Sequence, residues 1–336
     1  MKPTICFTAN ILLVSVGFLC ARFVAFGALA EAQPARVYRL GVLVVGGADI
    51  PQVMGLRDGL KSHGYIQGEN LDLEIAAKAN YDEYGPLVKT YKEKKVDVLV
   101  TIGGTATRVV KDFAPEIPTV FSFGSDPVQA GFVNSIARPG SNLTGVTTRT
   151  GPGFQGKRLE IFKEAVPILR RVAVLYNARG ENPGHEMNLN MLRGSASKLN
   201  VKLIAKPIKV ISDLDISLQT LSKETADGVF VIGASMFRTR FNKIVPLAMQ
   251  KKLPVMGNEA SHVTDDGALL SYDSDRYRIG LRLAWYVDRI LKGTKPRDLP
   301  VEAPAYFELM INLKTAKQIG LVIPPNVLVR ADRVIR

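Results

Sequence analysis

Cysteine is almost missing from this chain, and the two that occur, Cys6 and Cys20, both fall within the first thirty residues. If that stretch is removed, a disulfide framework, a thiol nucleophile and a cysteine-based metal site are excluded together, and stability must come from packing. Histidine is nearly as scarce. His63, His185 and His262 stand in unrelated turn contexts, with no HExxH and no cluster of histidine and carboxylate at metal-ligand spacing. The G-x-S-x-G elbow of α/β hydrolases is also lacking, since Gly233-Ala-Ser-Met-Phe237 fails at its last position. His185 beside Glu186 and His262 near Asp265 lack a partner nucleophile, so both are expected in surface or capping roles. No catalytic residue, metal or cofactor is expected.

A long hydrophobic run occurs at the start. Lys2 gives a basic beginning, Ile5 to Leu19 is apolar but for Thr8, Asn10, Ser15 and Gly17, and Ala28-Leu29-Ala30 has the small-x-small form of a cleavage site. Residues 1–30 thus read as an export signal, with the mature chain starting near Glu31. An uncleaved anchor is the competing reading, because only Arg22 is charged between Thr4 and Ala30 and a span needs roughly 20 apolar residues. Pro34 and a globular pattern follow directly, which favours cleavage. Leu19 before Cys20 argues against lipid attachment there.

Anionic charge is in short supply. The net charge is +13, falling by two to +11 without Lys2 and Arg22. Nucleic acid is not expected as a partner: an exported chain rarely meets it, and the basic residues do not cluster. Lys89, Lys92, Lys94 and Lys95, with Glu93 among them, read as the solvated face of a helix. The charge sign suits an acidic solute or an anionic membrane surface. An apolar share of 46% against 22% charged residues is that of a globular protein, and about 300 residues exceed what one core usually holds, so two domains are expected.

From Val37 onward short β-branched runs alternate with helical stretches, the signature of βαβ units around parallel sheets. Strands are expected at Arg39–Val45, Leu71–Ile75, Val96–Thr101, Thr119–Phe123 and Asn142–Val146. The helices between them have inward positions that include Met54 and Phe113. A second series follows, with strands at Arg171–Tyr176, Lys202–Ile204, Gly228–Ile232 and Leu253–Met256. Beyond it come Ala268–Ser271, a long helix over Asp275–Lys292 with Ile279, Leu283, Tyr286, Val287 and Ile290 on one face, the strand Phe307–Ile311, and a short helix capped by Asn312 and ended at Gly320. The surplus elements imply that the chain recrosses between two lobes, forming a hinge. Gly151-Pro-Gly-Phe-Gln-Gly156 matches the dinucleotide fingerprint in letters only. The following strand ends in Tyr176-Asn177 without the ribose-binding acid, so an interlobe connection explains the glycines better.

In open parallel sheets ligands bind beyond the carboxyl ends of the strands. That rule collects Gly46, Gly47 and Asp49 after the first strand, Gly103, Gly104 and Thr105 after the third, and Gly124, Ser125 and Asp126 after the fourth. In the second series it collects Asn177, Ser235 and Glu259. Gly103 and Gly104 would let backbone approach a ligand, Thr105 and the first helical amides suit a carboxylate or phosphate, and Asp126 or Glu259 could pair with an ammonium group. Each alone is also explicable as a turn or a cap; facing each other across a hinge, they read as a ligand-binding set.

The chain resembles the substrate-binding proteins of ABC transporters, in the family that includes tryptophan and tyrosine uptake components. The resemblance is carried by Gly55-Leu-Arg-Asp-Gly-Leu-Lys-Ser-His-Gly-Tyr65, Gly124-Ser-Asp-Pro-Val128, Ala137-Arg-Pro-Gly-Ser-Asn-Leu-Thr-Gly145, Gly156-Lys-Arg-Leu-Glu160, Tyr286-Val-Asp-Arg-Ile-Leu-Lys-Gly293 and Phe307 to Lys317 with Ile323-Pro-Pro325. It implies an α/β fold of two doubly wound parallel-sheet lobes joined by a three-crossover hinge, the first type of periplasmic-binding-protein fold. The first lobe would take 38–146 and 267–293, and the second 147–266 and 294–336. It implies a non-catalytic periplasmic monomer that captures a small polar solute, an amino acid or aromatic acid among the options, and delivers it to a cognate ABC permease. Gly103 to Thr105 and Gly124 to Asp126 match the family's cleft loops. Phe154, Phe123 or Phe237 could stack on an aromatic ligand. Three alternatives are weighed beside it: a ligand sensor feeding a membrane receptor, an exported α/β hydrolase, and a regulator of the lactose-repressor type, whose DNA-binding helices would stand where the export signal stands.

Overall fold

In a computed structural model of the chain, the residues described are 36–45, 47–78, 81–148, 153–179, 183–233, 235–238 and 240–336. The expected export signal, residues 1–30, and Gly46 lie outside them. Both sheets belong to the unit Tyr38–Arg336. Among the described residues no helix is long and apolar enough to cross a membrane.

The first series builds β1 (Tyr38–Val45), α1 (Pro51–Ser62), β2 (Leu71–Lys78), α2 (Tyr81–Glu93), β3 (Val98–Ile102), α3 (Gly104–Phe113), β4 (Thr119–Phe123) and β5 (Leu143–Thr147). These strands form a parallel sheet in the order β2-β1-β3-β4-β5. Strand periodicity divides its residues between two covered faces. Leu40, Val42 and Val44 pack with Val98, Val100 and α1, whereas Leu43 and Leu99 face Tyr84, Val88 and Val109 of α2 and α3. Both Met54 and Phe113, expected inside, are exposed, at 50% and 38%. The lysine run of α2 is solvated as expected, with Lys92 and Lys94 each 2.7 Å from Glu116 and Glu74.

The second series builds α4 (Phe154–Ala165), β6 (Arg171–Asn177), α5 (Pro183–Lys198), β7 (Lys202–Ile208), α6 (Ile211–Gln219), β8 (Gly228–Val231), α7 (Ser235–Arg238), α8 (Phe241–Gln250), β9 (Val255–Gly257), α9 (Ala260–Thr264) and β10 (Leu270–Ser274). After it come α10 (Arg276–Leu291), β11 (Phe307–Asn312), α11 (Leu313–Ile319), α12 (Pro325–Leu328) and β12 (Arg333–Ile335). The second sheet is seven-stranded, ordered β12-β11-β10-β9-β8-β6-β7. Val172, Val174 and Phe230 point to one face, Ala173, Leu175, Val229 and Val231 to the other.

The stripe predicted on α10 is the buried one, and α10 lies along α1 against the first sheet. Asp275 caps it, its Oδ1 accepting the Arg278 N–H at 3.0 Å. Glycines let the two helices approach closely: a Cβ on Gly55 would stand 2.1 Å from the Tyr277 carbonyl oxygen, and one on Gly280 would stand 2.2 Å from the Gln52 carbonyl oxygen.

Two segments depart from the expected division into lobes. β10, within the 267–293 stretch assigned to the first lobe, pairs with β9 and β11 in the second sheet. Residues 296–302, assigned to the second lobe, run beside β5: Thr144 Oγ1 donates to Leu299 O at 2.7 Å, and Val146 forms a bridge with Glu302. The crossovers therefore fall between Thr147 and Phe154, between Ser274 and Arg276, and between Glu302 and Phe307. The last one explains the sheet's mixed character. β10 ends at the hinge and β11 starts there, so the two must run antiparallel.

Candidate functional site

The carboxyl ends of the strands meet where the crossovers pass. Between the lobes lies a cavity of ≈ 590 Å³, within the usual range for small-molecule sites. The first lobe contributes Asp49, Ile50 and Gln52 from the β1–α1 turn, the second contributes Glu259, Asp273 and Ser274, and the crossovers contribute Arg276, Tyr306 and Phe307.

A charged network forms its second-lobe wall. Arg276 Nε donates to Asp273 Oδ2 at 2.7 Å and stands 4.0 Å from Glu259 Oε2. Glu259 Oε1 is 3.4 Å from His262 Nε2, while His262 Nδ1 accepts the Asn258 N–H at 3.1 Å. The imidazole is stacked flat on Phe241, with ring centroids 3.5 Å apart. His262, expected in a surface or capping role, is buried: its Nδ1 takes the Asn258 N–H just ahead of α9, and its ring covers the face of Phe241. Among the described residues there is no group of three or more His, Cys, Asp or Glu that could hold a metal ion.

Burial, reinforced by Asp265 and Glu259, pushes the Asp266 carboxyl up to about 6 from 3.8. Between those values the folded protein binds a proton that the unfolded chain does not, so stability falls as pH rises through the window. Asp266→Asn should therefore be the more stable protein above pH 7, by on the order of 1 kcal/mol after solvent screening. It should also lose the slope between pH 4 and 6 in urea melts; an unchanged slope would refute the assignment.

Beneath the cleft the second lobe is pinned by a side chain that sequence reasoning passed over. Arg158 of α4 is 0% exposed. Its Nη1 donates to Gln155 Oε1 at 2.8 Å and to Val231 O at 3.3 Å, its Nη2 to Gly257 O at 2.8 Å and Asn258 Oδ1 at 2.9 Å, and the guanidinium lies over Phe230. One residue thus ties the start of α4 to the ends of β8 and β9, from which Ser235 and Glu259 depart. The run Gly156-Lys-Arg-Leu-Glu160 carried the signal, but nothing in its letters told a buried fork from a solvated charge.

Of the expected site residues, Asp49 and Glu259 line the cavity. Gly103 has φ +114° and is itself the cap of α3, so Thr105 is the second helical residue rather than the cap. With Gly104 it presents the first-turn amides at the carboxyl end of β3. Gly124, Ser125 and Asp126 form the turn after β4, where Asp126 Oδ1 accepts the N–H groups of Val128 and Gln129 at 2.8 and 3.1 Å. Asn177 ends β6, its Oδ1 accepting Arg179 N–H at 2.9 Å. Ser235 opens α7, and its side chain lies outside the described residues, as do Gly46 and the His185 side chain. Among the aromatics considered for stacking, Phe123 packs on Phe132 and Phe237 is enclosed in a core cluster. Phe154 joins Tyr272 and Phe307, the latter on the cavity wall.

Over most of its length the chain is similar to known proteins. A family model described as ABC transporter substrate binding protein matches residues 40–335. The tyrosine-binding protein of Clostridioides difficile (strain R20291) is 23% identical over 268 residues, covering 80% of this chain and 76% of that protein. The crystal structure of a conserved domain protein from Vibrio cholerae O1 biovar eltor is 28% identical with a TM-score of 0.82, over 89% of this chain and all of that one. An ABC domain from Streptococcus pneumonia in complex with L-Trp is 22% identical, with a TM-score of 0.81 over 89% of this chain and 100% of that one.

Proposed function

Since the chain belongs to the family of ABC transporter substrate binding proteins, we propose that it captures a small polar solute between its lobes and delivers it, unaltered, to a membrane permease. The observation that carries this reading is the interlobe cavity, whose walls come from the β1–α1 turn of one lobe, the β9 and β10 ends of the other, and the hinge. A solute there contacts both lobes only when they close, so its binding free energy is what shifts the open–closed equilibrium. The printed names of two relatives, one tyrosine-binding and one solved with L-Trp, favour an amino acid or aromatic acid as the solute. An exported, periplasmic monomer fits the amino-terminal segment and the family's setting.

His262 Nδ1 is occupied by a backbone N–H, which removes it as a base at that atom. A thermal-shift screen of amino acids and aromatic acids, followed by solution scattering of the hits, tests the proposal. At 100 times its dissociation constant a ligand adds roughly 2.7 kcal/mol of apparent stability, and the radius of gyration should shrink with it. Stabilisation without contraction would refute capture by closure.

A further inference from the structure

Two residues that line the cavity each hold a buried polar atom without a hydrogen-bond partner among the described residues. Gln52, in the first turn of α1, is 1% exposed. Its Nε2 donates to Ser122 Oγ at 2.7 Å, and its Oε1 has no hydrogen-bond partner among the described residues. Ser274, the last residue of β10, is 3% exposed, and its Oγ is likewise without a partner. Both line the same cavity, one from each lobe. Buried polar groups are nearly always satisfied, so a pair of such atoms at one hinge cavity calls for an external partner. An amide oxygen can only accept, and a serine hydroxyl can accept as well; the missing group is a donor.

The charge around them has one sign in excess. Seven carboxylates line the cavity against three guanidiniums, with no lysine or histidine, in a chain whose net charge is +13. The guanidiniums are engaged: Arg276 by Asp273, Arg278 by Asp275 at 3.2 Å and by the Tyr306 ring, Arg333 by Glu308 at 3.9 Å. Asp49 is exposed and has no hydrogen-bond or ion-pair partner among the described residues. The raised pKa of Asp266, next to Asp265 on the same wall, reflects a negative potential there as well as burial.

We propose that this cavity seats a cationic nitrogen of the solute, an ammonium, amidinium or guanidinium group, with Gln52 Oε1 and Ser274 Oγ as its hydrogen-bond acceptors and Asp49 as its counter-ion. The proposal rests on the interlobe-capture reading and narrows its solute class. Charge-assisted hydrogen bonds from a cation to neutral acceptors are stronger than neutral ones, and the cation also relieves the mutual repulsion of the lining carboxylates. An anion placed there would meet carboxylates in excess, and guanidiniums that are already paired with them.

Calorimetric titration with putrescine, agmatine and tyramine, against succinate and 4-hydroxyphenylacetate as anions of similar size, tests it. At least one amine should bind ten times or more tightly than any of the anions, and Ser274→Ala and Asp49→Asn should each weaken that amine at least tenfold. Both are conservative changes at positions where no backbone contact is lost. Anions binding as well as or better than amines, binding of neither class, or amine affinity unmoved by both substitutions would overturn the assignment. Solution scattering on the same samples separates this from the broader reading. Contraction with an anion would leave interlobe capture standing while the cation site falls, whereas amine binding without contraction would keep the cation site and remove capture.

Discussion

Arg158→Met should destabilise the protein by about 3–5 kcal/mol, the range for breaking a buried charged hydrogen-bond network from one side. Methionine fills much of the space but leaves Val231 O, Gly257 O, Gln155 Oε1 and Asn258 Oδ1 without the donors that Arg158 supplies. Those acceptors are held away from water at the ends of β8 and β9, so they cannot recover their hydration cheaply. Arg158→Lys should recover only part of the loss, since an ammonium cannot reproduce the planar fork that reaches both strand ends and the asparagine together. Urea unfolding monitored by circular dichroism measures both. A loss below 1 kcal/mol for the methionine variant would mean that water enters and replaces the guanidinium, and that the strand ends do not depend on it. If the pin matters, ligand affinity should fall as well, because Glu259 departs from the strand end that Arg158 holds.

Gly55→Ala should have the next largest effect, a destabilisation of about 2–3 kcal/mol. Alanine is the better helix former by roughly 1 kcal/mol, which opposes the effect. The added methyl, however, would stand 2.1 Å from the Tyr277 carbonyl oxygen and 3.2 Å from the Gly280 Cα, and those are backbone atoms that cannot rotate aside. The helices must move apart, which opens voids among Leu56, Leu60, Leu283 and Val287, and overpacking of this kind typically costs 1–3 kcal/mol before the lost contacts are counted. Gly194→Ala in α5 is the control. A Cβ there meets nothing within 4 Å, so the same exchange should stabilise by about 0.5–1 kcal/mol. Equal responses from the two glycines in thermal melts would defeat the argument from close approach. Because α10 also carries Arg276 and Arg278 to the cavity, Gly55→Ala should weaken solute binding without touching the site.

Local patterns were readable in the sequence to within a few residues. The β-branched runs of β1 and β3, the apolar stripe of α10 and the Asn312 cap with Gly320 past the helix end depend on neighbours along the chain, and each appears where the spacing places it; Asp275, read as the first helical residue, is the cap instead. The short elements α7, α9, α12 and β12 were missed, for three to five residues carry too little periodicity to register. A strand is expected at Ala268–Ser271 and β10 forms at Leu270–Ser274, overlapping it by two residues; the sheet that takes it differs from the one expected. β10 pairs parallel with β9 and antiparallel with β11, and its five residues carry no mark of either neighbour; the position of β9 decides which sheet takes it.

The site divides along the same line. Strand-end logic collected Asp49 and Glu259, which do reach the cavity, because the carboxyl ends of parallel strands are a property of the winding. Gln52, Ser274, Arg158 and His262 were not collected, since each reads as an ordinary polar residue until burial gives it a role. Patterns a few residues long determined the two wound series, and particular runs such as Gly124-Ser-Asp-Pro-Val128 carried the family resemblance. Which polar atoms are satisfied, which are left facing a cavity, and where the chain recrosses were decided only in three dimensions, because solvation and pairing depend on what the fold brings alongside from a hundred residues away.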